Sequence, residues 1–387
     1  MFKTYCRTLL LILLFSIVGT EIFAETVDNN VAHVPVDVSY LIVDMKYHNE
    51  RGVQICEIQH GVASTFKGEK FSNNGTSFIA QNLVHELDKF YEKSWVEIKA
   101  VADVSAKDLL SQDNQWIKVN NLKDLEKDNQ FLLRASLPVY DPEDLFSYHG
   151  FVLMNTRQIA EREILKAKYP GVLFIDNGSY IYRRDKYKMS QLLRGHPVTE
   201  KHKPKWGSYK TKYNKNLAKK INKEIRSDLL VIKPLDEFKG KGVIILKKED
   251  LDKVLKGILT KDITKLDNKD PAYQYWMTHE LDQFVVEEFI HTDPVAVPHL
   301  NGNLYSPTLR LVFLLFYNKR NIEIVCLGGY YSLPQKALSE EGSLNEKYKS
   351  YCVLPYYCKA DPEIMKKAEA QLREVLTIVY RKMLGLE

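Results

Sequence analysis

The residues best suited to chemistry cluster first in Leu229–Leu246, LLVIKPLDEFKGKGVIIL, where a lysine-proline step and a lysine-glycine cluster lie between two apolar, β-branched runs. A glycine-bearing turn between strands leaves backbone N–H groups free to face an anion, and such a tip can close over a ligand as a flap. A Walker loop is excluded, because Gly240-Lys241-Gly242 is followed by Val243 and a second strand, not by Ser or Thr and a helix. Phosphate is the ligand this turn suggests. Lys233 ends the first run, and Asp185-Lys186 opens the helical DKYKMSQLLRG upstream, so Lys186 and Lys233 can converge on one triphosphate. Downstream, FVVEEFIHTD ends an apolar run in Glu287-Glu288, and TLRLVFLLF carries Arg310 into another strand.

This ordered set, from about Asp176 to Tyr331, resembles the ATP-grasp superfamily with its glutathione synthetase-like ATP-binding fold: "DK" ahead of a helix, "IKP" before a glycine flap, "VEEFI" as an adenine hinge, then an arginine-bearing strand. The resemblance implies that Lys186 and Lys233 meet the α and β phosphates beneath a flap carrying Lys239, Gly240, Lys241 and Gly242. It gives the adenine to Glu287 and the backbone of Glu288 and Ile290, the ribose hydroxyls to Asp293, and catalytic charge neutralisation to Lys233 and Arg310. The activity implied is an ATP- and Mg²⁺-dependent ligase, with Mn²⁺ as a possible replacement, that activates a carboxylate as an acyl phosphate for attack by an amine. Which carboxylate and which amine, the residues do not say.

The family places its metal ligands on a hairpin after the domain's last helix. Here that helix ends the sequence, with Asp361 as N-cap, Pro362 at its first position, and Ile364, Ala368, Leu372, Val375, Val379 and Met383 along one face. The hairpin LIVDMKYHNERGVQICEIQHG at the other end supplies Asp44 and Glu57-x-Gln59, with Gln where the family has Asn. A circular permutation is therefore expected, with this hairpin folding beside Lys233 and Tyr40 lying close to the C-terminal helix. The extra methylene of Gln59 moves its carbonyl oxygen, and Mg²⁺ demands near-octahedral geometry at about 2.0–2.1 Å.

These residues must be positioned by a chain of 387 residues, 45% hydrophobic, long enough for two or three domains. Lys3, Arg7, the apolar run Leu9–Val18 and Ile22-Phe23-Ala24 read as an export signal over residues 1–24. Beyond it lie a permuted metal hairpin at 25–75, a smaller α/β domain at 76–178, and ATP-grasp subdomains at 179–387 with the flap hairpin at 229–246 and the hinge at 284–293. Strand-like runs at Trp95–Val104, Phe131–Ala135, Gly150–Met154 and Val172–Ile175 alternate with helical patterns at Ser77–Lys93 and Arg157–Lys168, which argues for an α/β fold with a mostly parallel sheet.

A net charge of +5 implies no whole-molecule field for nucleic acid or membranes. Between Arg183 and Asp228, however, fifteen Lys or Arg face four Asp or Glu, interleaved with Trp206, Tyr209 and Tyr213. This stretch carries one rival reading, an exported polyanion or nucleic-acid binder; the other, an ATP-grasp-like nucleotide binder without turnover, rests on Gln59 and on an exported location where ATP is scarce. Export leaves Cys56, Cys326, Cys352 and Cys358; Cys352 and Cys358 are close enough for a local bridge, while Cys56 and Cys326 sit in apolar runs.

Overall fold

The computed structural model describes residues 36–60, 65–93, 98–102, 116–154, 159–175, 185–235, 240–262, 264, 266 and 270–386. The architecture is mixed α/β, and the parallel sheet expected from the alternating runs before Ile175 is present alongside two antiparallel sheets. The largest sheet is antiparallel, in the order β15-β14-β13-β1-β2, from β1 (Asp37–His48), β2 (Gly52–His60), β13 (Thr308–Asn318), β14 (Asn321–Ser332) and β15 (Tyr357–Lys359). A second antiparallel sheet runs β7-β10-β8-β9, from β7 (Trp206–Lys210), β8 (Leu229–Pro234), β9 (Ile244–Lys247) and β10 (Gln283–Glu288). Only the sheet β4-β3-β5-β6 is parallel among the described residues, with β3 at Ile98–Ala102, β4 at Trp116–Val119, β5 at Gly150–Met154 and β6 at Val172–Phe174. A ribbon of β11 (Val295–Val297) and β12 (Asn303–Tyr305) completes the strands.

Side-chain alternation explains how β1 and β13 read as near-continuous apolar runs. Leu41, Val43, Met45 and Tyr47 of β1 and Leu309, Leu311, Phe313 and Leu315 of β13 pack on the C-terminal helix Pro362–Met383. Their alternate neighbours Tyr40, Ile42, Val312 and Leu314 pack on the other side with Phe66, Ile79 and Leu83. Both faces are covered, so both parities must be apolar. The pattern breaks at Asp44, Lys46 and Arg310, which share the second face where that apolar layer gives way to polar groups.

The N-terminal strand is thus built into the sheet of the C-terminal half. Tyr40 itself faces away from the C-terminal helix and lies 6.4 Å from the Phe66 ring, whereas Asp37 on the same strand accepts a 2.5 Å hydrogen bond from the Tyr380 hydroxyl of that helix. Residues 129–135 form a helix, not the strand expected at Phe131–Ala135, because Asp128 caps it by accepting from Phe131 N at 2.9 Å and Phe131, Leu132 and Ala135 reach one core. Cys352 and Cys358 are free thiols, as are Cys56 and Cys326. No helix among the described residues is long and apolar enough to cross a membrane. Residues 1–24, Asp176, Phe238 and Lys239 lie outside the described residues.

Candidate functional site

The site begins at an irregularity in the first hairpin. Asp44 pairs with Glu57 and Met45 with Ile55, so Cys56 is the extra residue of a β-bulge. Bulges turn local backbone out of the ladder. Here the Cys56 carbonyl receives the Lys233 ammonium at 3.4 Å, which joins the hairpin to β8 of the second sheet.

On the other side of β1, Asp44 lies directly opposite Arg310 of β13, and Arg310 opposite Tyr330 of β14. Arg310 Nε and Nη2 each donate to one Asp44 oxygen at 2.6 Å, and Nη1 donates to the Tyr330 hydroxyl at 3.2 Å. This two-pronged geometry is among the strongest side-chain pairings. The Gln59 amide donates to Asp44 at 2.9 Å and to Glu57 at 3.2 Å. Burial pushes the Glu57 carboxyl up, opposed by Lys186, whose ammonium lies 3.9 Å away. Lys186 is the first residue of the helix Lys186–Leu192, which Asp185 caps, and its backbone N–H is anchored on Leu235 O at the end of β8.

Opposite this group, β8 and β10 present Lys233 and Glu287 as diagonal neighbours, Lys233 pairing with Val285 and Glu287 with Val231. The two Glu287 oxygens each hold a lysine at 2.6 Å, Lys203 on one and Lys233 on the other. Burial opposes a charge on Glu287, yet the two lysines outweigh it and hold the carboxyl below its ordinary range. Burial would likewise lower Lys233, but Glu287 prevails and raises it; for Lys203 burial wins and lowers the ammonium. Lys46, two residues beyond Asp44 on the same face, donates to Pro307 O at 3.0 Å and Tyr348 O at 3.4 Å, and burial brings its ammonium down to about 8.

The turn expected as a flap and the segment expected as a hinge have contacts of their own. Gly240 and Gly242 both have φ of 68°, in the left-handed region that favours glycine, and a Cβ at Gly242 would run into the Tyr275 ring. Trp276 Nε1 donates to Gly242 O at 2.7 Å and anchors that end of the turn. Lys241 is exposed at its tip. In the hinge, Glu288 N donates to Lys205 O at 2.8 Å, Ile290 is buried, and the Glu288 carboxylate takes Arg51 at 2.9 Å. Asp293 is held by the turn of the first hairpin, accepting from Asn49 N at 2.8 Å with His48 at 3.5 Å.

Asp44, Glu57, Gln59, Lys186, Lys233, Glu287 and Arg310 therefore converge, whereas Glu288, Ile290 and Asp293 form a rim clasped by the first hairpin and Gly240–Gly242 a separate margin. Beside the converging group lies a cavity of about 20 Å³, room for one water, with Cys56, Glu57, Asp185, Lys186, Lys203 and Glu287 in its lining. Five basic side chains, Lys46, Lys186, Lys203, Lys233 and Arg310, share this charge-coupled cluster with three carboxylates, Asp44, Glu57 and Glu287. Burial raises the Cys56 thiol, so it adds no negative charge. The imbalance favours an anion. Sequence reasoning missed Lys46, Lys203 and Tyr330; the even spacing from Asp44 was a usable signal for Lys46, and nothing local marked Lys203.

A divalent ion could take one Glu57 oxygen and, after rotation of its amide, the Gln59 carbonyl, with phosphate oxygens and water filling the remaining positions. Both Asp44 oxygens are engaged by Arg310 and one also by Gln59, so a metal at Asp44 would have to displace or share these donors. Among the described residues no three His, Cys, Asp or Glu side chains form a metal-binding group.

No protein-family model and no curated protein matches the chain. Among solved structures it is similar to a glutathione synthetase-like effector from Globodera pallida in its apo form, at 12% identity and a TM-score of 0.39 over 79% of this chain and 75% of that one. It is also similar to the D-alanine-D-alanine ligase of Coxiella burnetii, at 10% identity and a TM-score of 0.25 over 61% of this chain and 70% of that one.

Proposed function

We propose that the chain is an ATP-grasp protein that binds ATP between its two antiparallel sheets and uses it to join a carboxylate to an amine. The observation that carries this reading is the surplus of buried cations, with Lys186, Lys233 and Arg310 brought from three separate segments to one carboxylate-bearing hairpin. In this reading Lys186 and Lys233 receive phosphate oxygens, the Gly240–Gly242 turn closes over them, and Arg310, held rigid by Asp44, faces charge developing on the carboxylate substrate. Fixed cations placed in advance stabilise such charge without reorganising. Glu57 and Gln59 would hold Mg²⁺ or Mn²⁺, which when bound supplies charge neutralisation on the phosphates. The hairpin's position between β13 and the Lys203 segment supports a circular permutation, and the N-terminal segment supports export.

A nucleotide binder without turnover is the second reading, favoured by the full engagement of Asp44 and by the hydrogen bonds that turn the Gln59 amide nitrogen toward the carboxylates. The polyanion reading is weakened by Trp206, whose ring is covered by the Arg194 guanidinium at 4.3 Å and by Tyr187 at 5.9 Å. The test is thermal unfolding with ATP, with and without Mg²⁺, on the wild type, Lys233→Ala and Glu57→Gln. ATP should raise the melting temperature in a metal-dependent way, Lys233→Ala should abolish the shift, and Glu57→Gln should remove its metal dependence. A folded wild type that ignores ATP but binds an anionic polymer overturns the proposal.

A further inference from the structure

Glu287 sits where the hinge of a nucleotide site begins, yet both its oxygens are committed to lysines, and the two lysines differ in how they are held. Lys203 is locked from its backbone: its own N–H donates to Glu200 O, the preceding His202 bonds Val53 O through Nδ1 at 2.9 Å, and His202 O receives Ile55 N at 2.7 Å. Pro204 on its other side is buried. Lys233 stands one residue from the end of β8, beside the flap, with a neutral second acceptor in Cys56 O, and both its partners, Cys56 and Glu287, line the water-sized cavity. One cation is fixed and the other is placed to swing.

Resting on the nucleotide reading above, we infer that Lys203 is a positioning residue: it keeps Glu287 compensated when Lys233 leaves that carboxylate for a bound triphosphate. Removing one partner from a buried ion pair strands the other charge at high cost. With Lys203 present, Lys233 can depart because Glu287 retains a counter-cation. Without Lys203, the departure of Lys233 leaves a carboxylate whose side chain is 4% exposed with no cation beside it. Lys233 then stays on Glu287, and phosphate binding weakens.

Two measurements test this. Titration calorimetry with ATP and with inorganic tripolyphosphate compares the wild type with Lys203→Met, Lys203→Arg and the double variant Lys203→Met/Glu287→Gln. Lys203→Met should weaken both ligands by roughly a hundredfold, the scale set by stranding a buried charge. Lys203→Arg should stay near wild type, and the double variant should recover, because a neutral glutamine needs no counter-cation. Lys203→Met that binds like wild type overturns the inference. So does a double variant as weak as the single, which would mark Lys203 as a direct phosphate contact or a plain structural prop.

The second measurement needs no nucleotide: the rate at which acetic anhydride labels Lys233 in the free protein, followed by mass spectrometry. It should be slower in Lys203→Met, where Glu287 belongs to Lys233 alone, and faster in Glu287→Gln. An unchanged rate in Lys203→Met overturns the inference even where the nucleotide reading stands. If the wild type binds neither ATP nor tripolyphosphate, the nucleotide reading fails, and the labelling rates alone decide whether Lys203 shares Glu287. Should Lys203→Met fail to fold, Lys203→Gln takes its place in both measurements.

Discussion

Asp44 and Arg310 illustrate how strongly a single cross-strand pair can shape this site. Their contact is buried and two-pronged, so truncating one partner leaves a charge in a poorly solvated place. Asp44→Ala should cost about 3–5 kcal/mol in urea unfolding, and Asp44→Leu/Arg310→Met should recover most of it while losing any role in binding anions. Glu287 makes a prediction in pH. Its carboxyl is held below its ordinary value of 4.5 by Lys203 and Lys233, so its stabilising share is complete above that value and disappears as pH falls through the lower, folded-state value. The stability gap between wild type and Glu287→Gln should therefore be widest near neutral pH and close in acid, as urea unfolding across that range would show. The lysine of "IKP" and the Glu57-x-Gln59 pair were legible because each belongs to a local pattern. Lys203 was not, since one lysine among fifteen basic residues carries no local mark of burial.

Elements decide what the flap can do. The strand β9 is an edge strand, and the outward Ile245 N–H is satisfied by the buried Asn345 side chain at 2.8 Å; the same amide also bonds Asp270, the N-cap of the helix Pro271–Thr278. The short helix Leu344–Tyr348, itself closed by a Ser343–Glu346 capping box, thereby clasps the flap sheet, while Tyr348 O takes Lys46 from the first hairpin. Asn345→Ala should strand the Ile245 N–H at a cost of about 1–3 kcal/mol and raise amide exchange along β9, measurable by hydrogen exchange and mass spectrometry. The glycine hairpin, the Asp185-capped helix and the final helix were all readable from turn chemistry and 3.6-residue periodicity. Strand order was not. β1 pairs with β13, and β10 with both β7 and β8, across long stretches of sequence that no local pattern connects.

Across the whole molecule the two ends of the described chain are stitched together. The strand β1 lies between β2 and β13, its odd-numbered face rests on the C-terminal helix, and Tyr380 donates to Asp37. Tyr380→Phe should lose about 1.5–3 kcal/mol, the worth of a hydrogen bond to a charged group, and should lower the unfolding midpoint of the sheet that carries Arg310. A change some distance from the cleft should thus weaken polyphosphate binding in proportion to the fraction unfolded, and calorimetry near the midpoint would show that proportion.

What the sequence determined by itself was chemical and local: lysines at strand and helix ends, a glycine turn that can face phosphate, an acidic strand pair at the N-terminal hairpin, and a helix that starts at Asp361. What only the tertiary structure decided was which charges meet. Register placed Asp44 against Arg310, a bulge turned the Cys56 carbonyl toward Lys233, and burial put Lys203 on Glu287. The physical reason is that a side chain's type and its neighbours in sequence set what it can do. Its partners and its dielectric surroundings, which set what it does, come from segments 84 to 266 residues apart in the chain and adjacent in space.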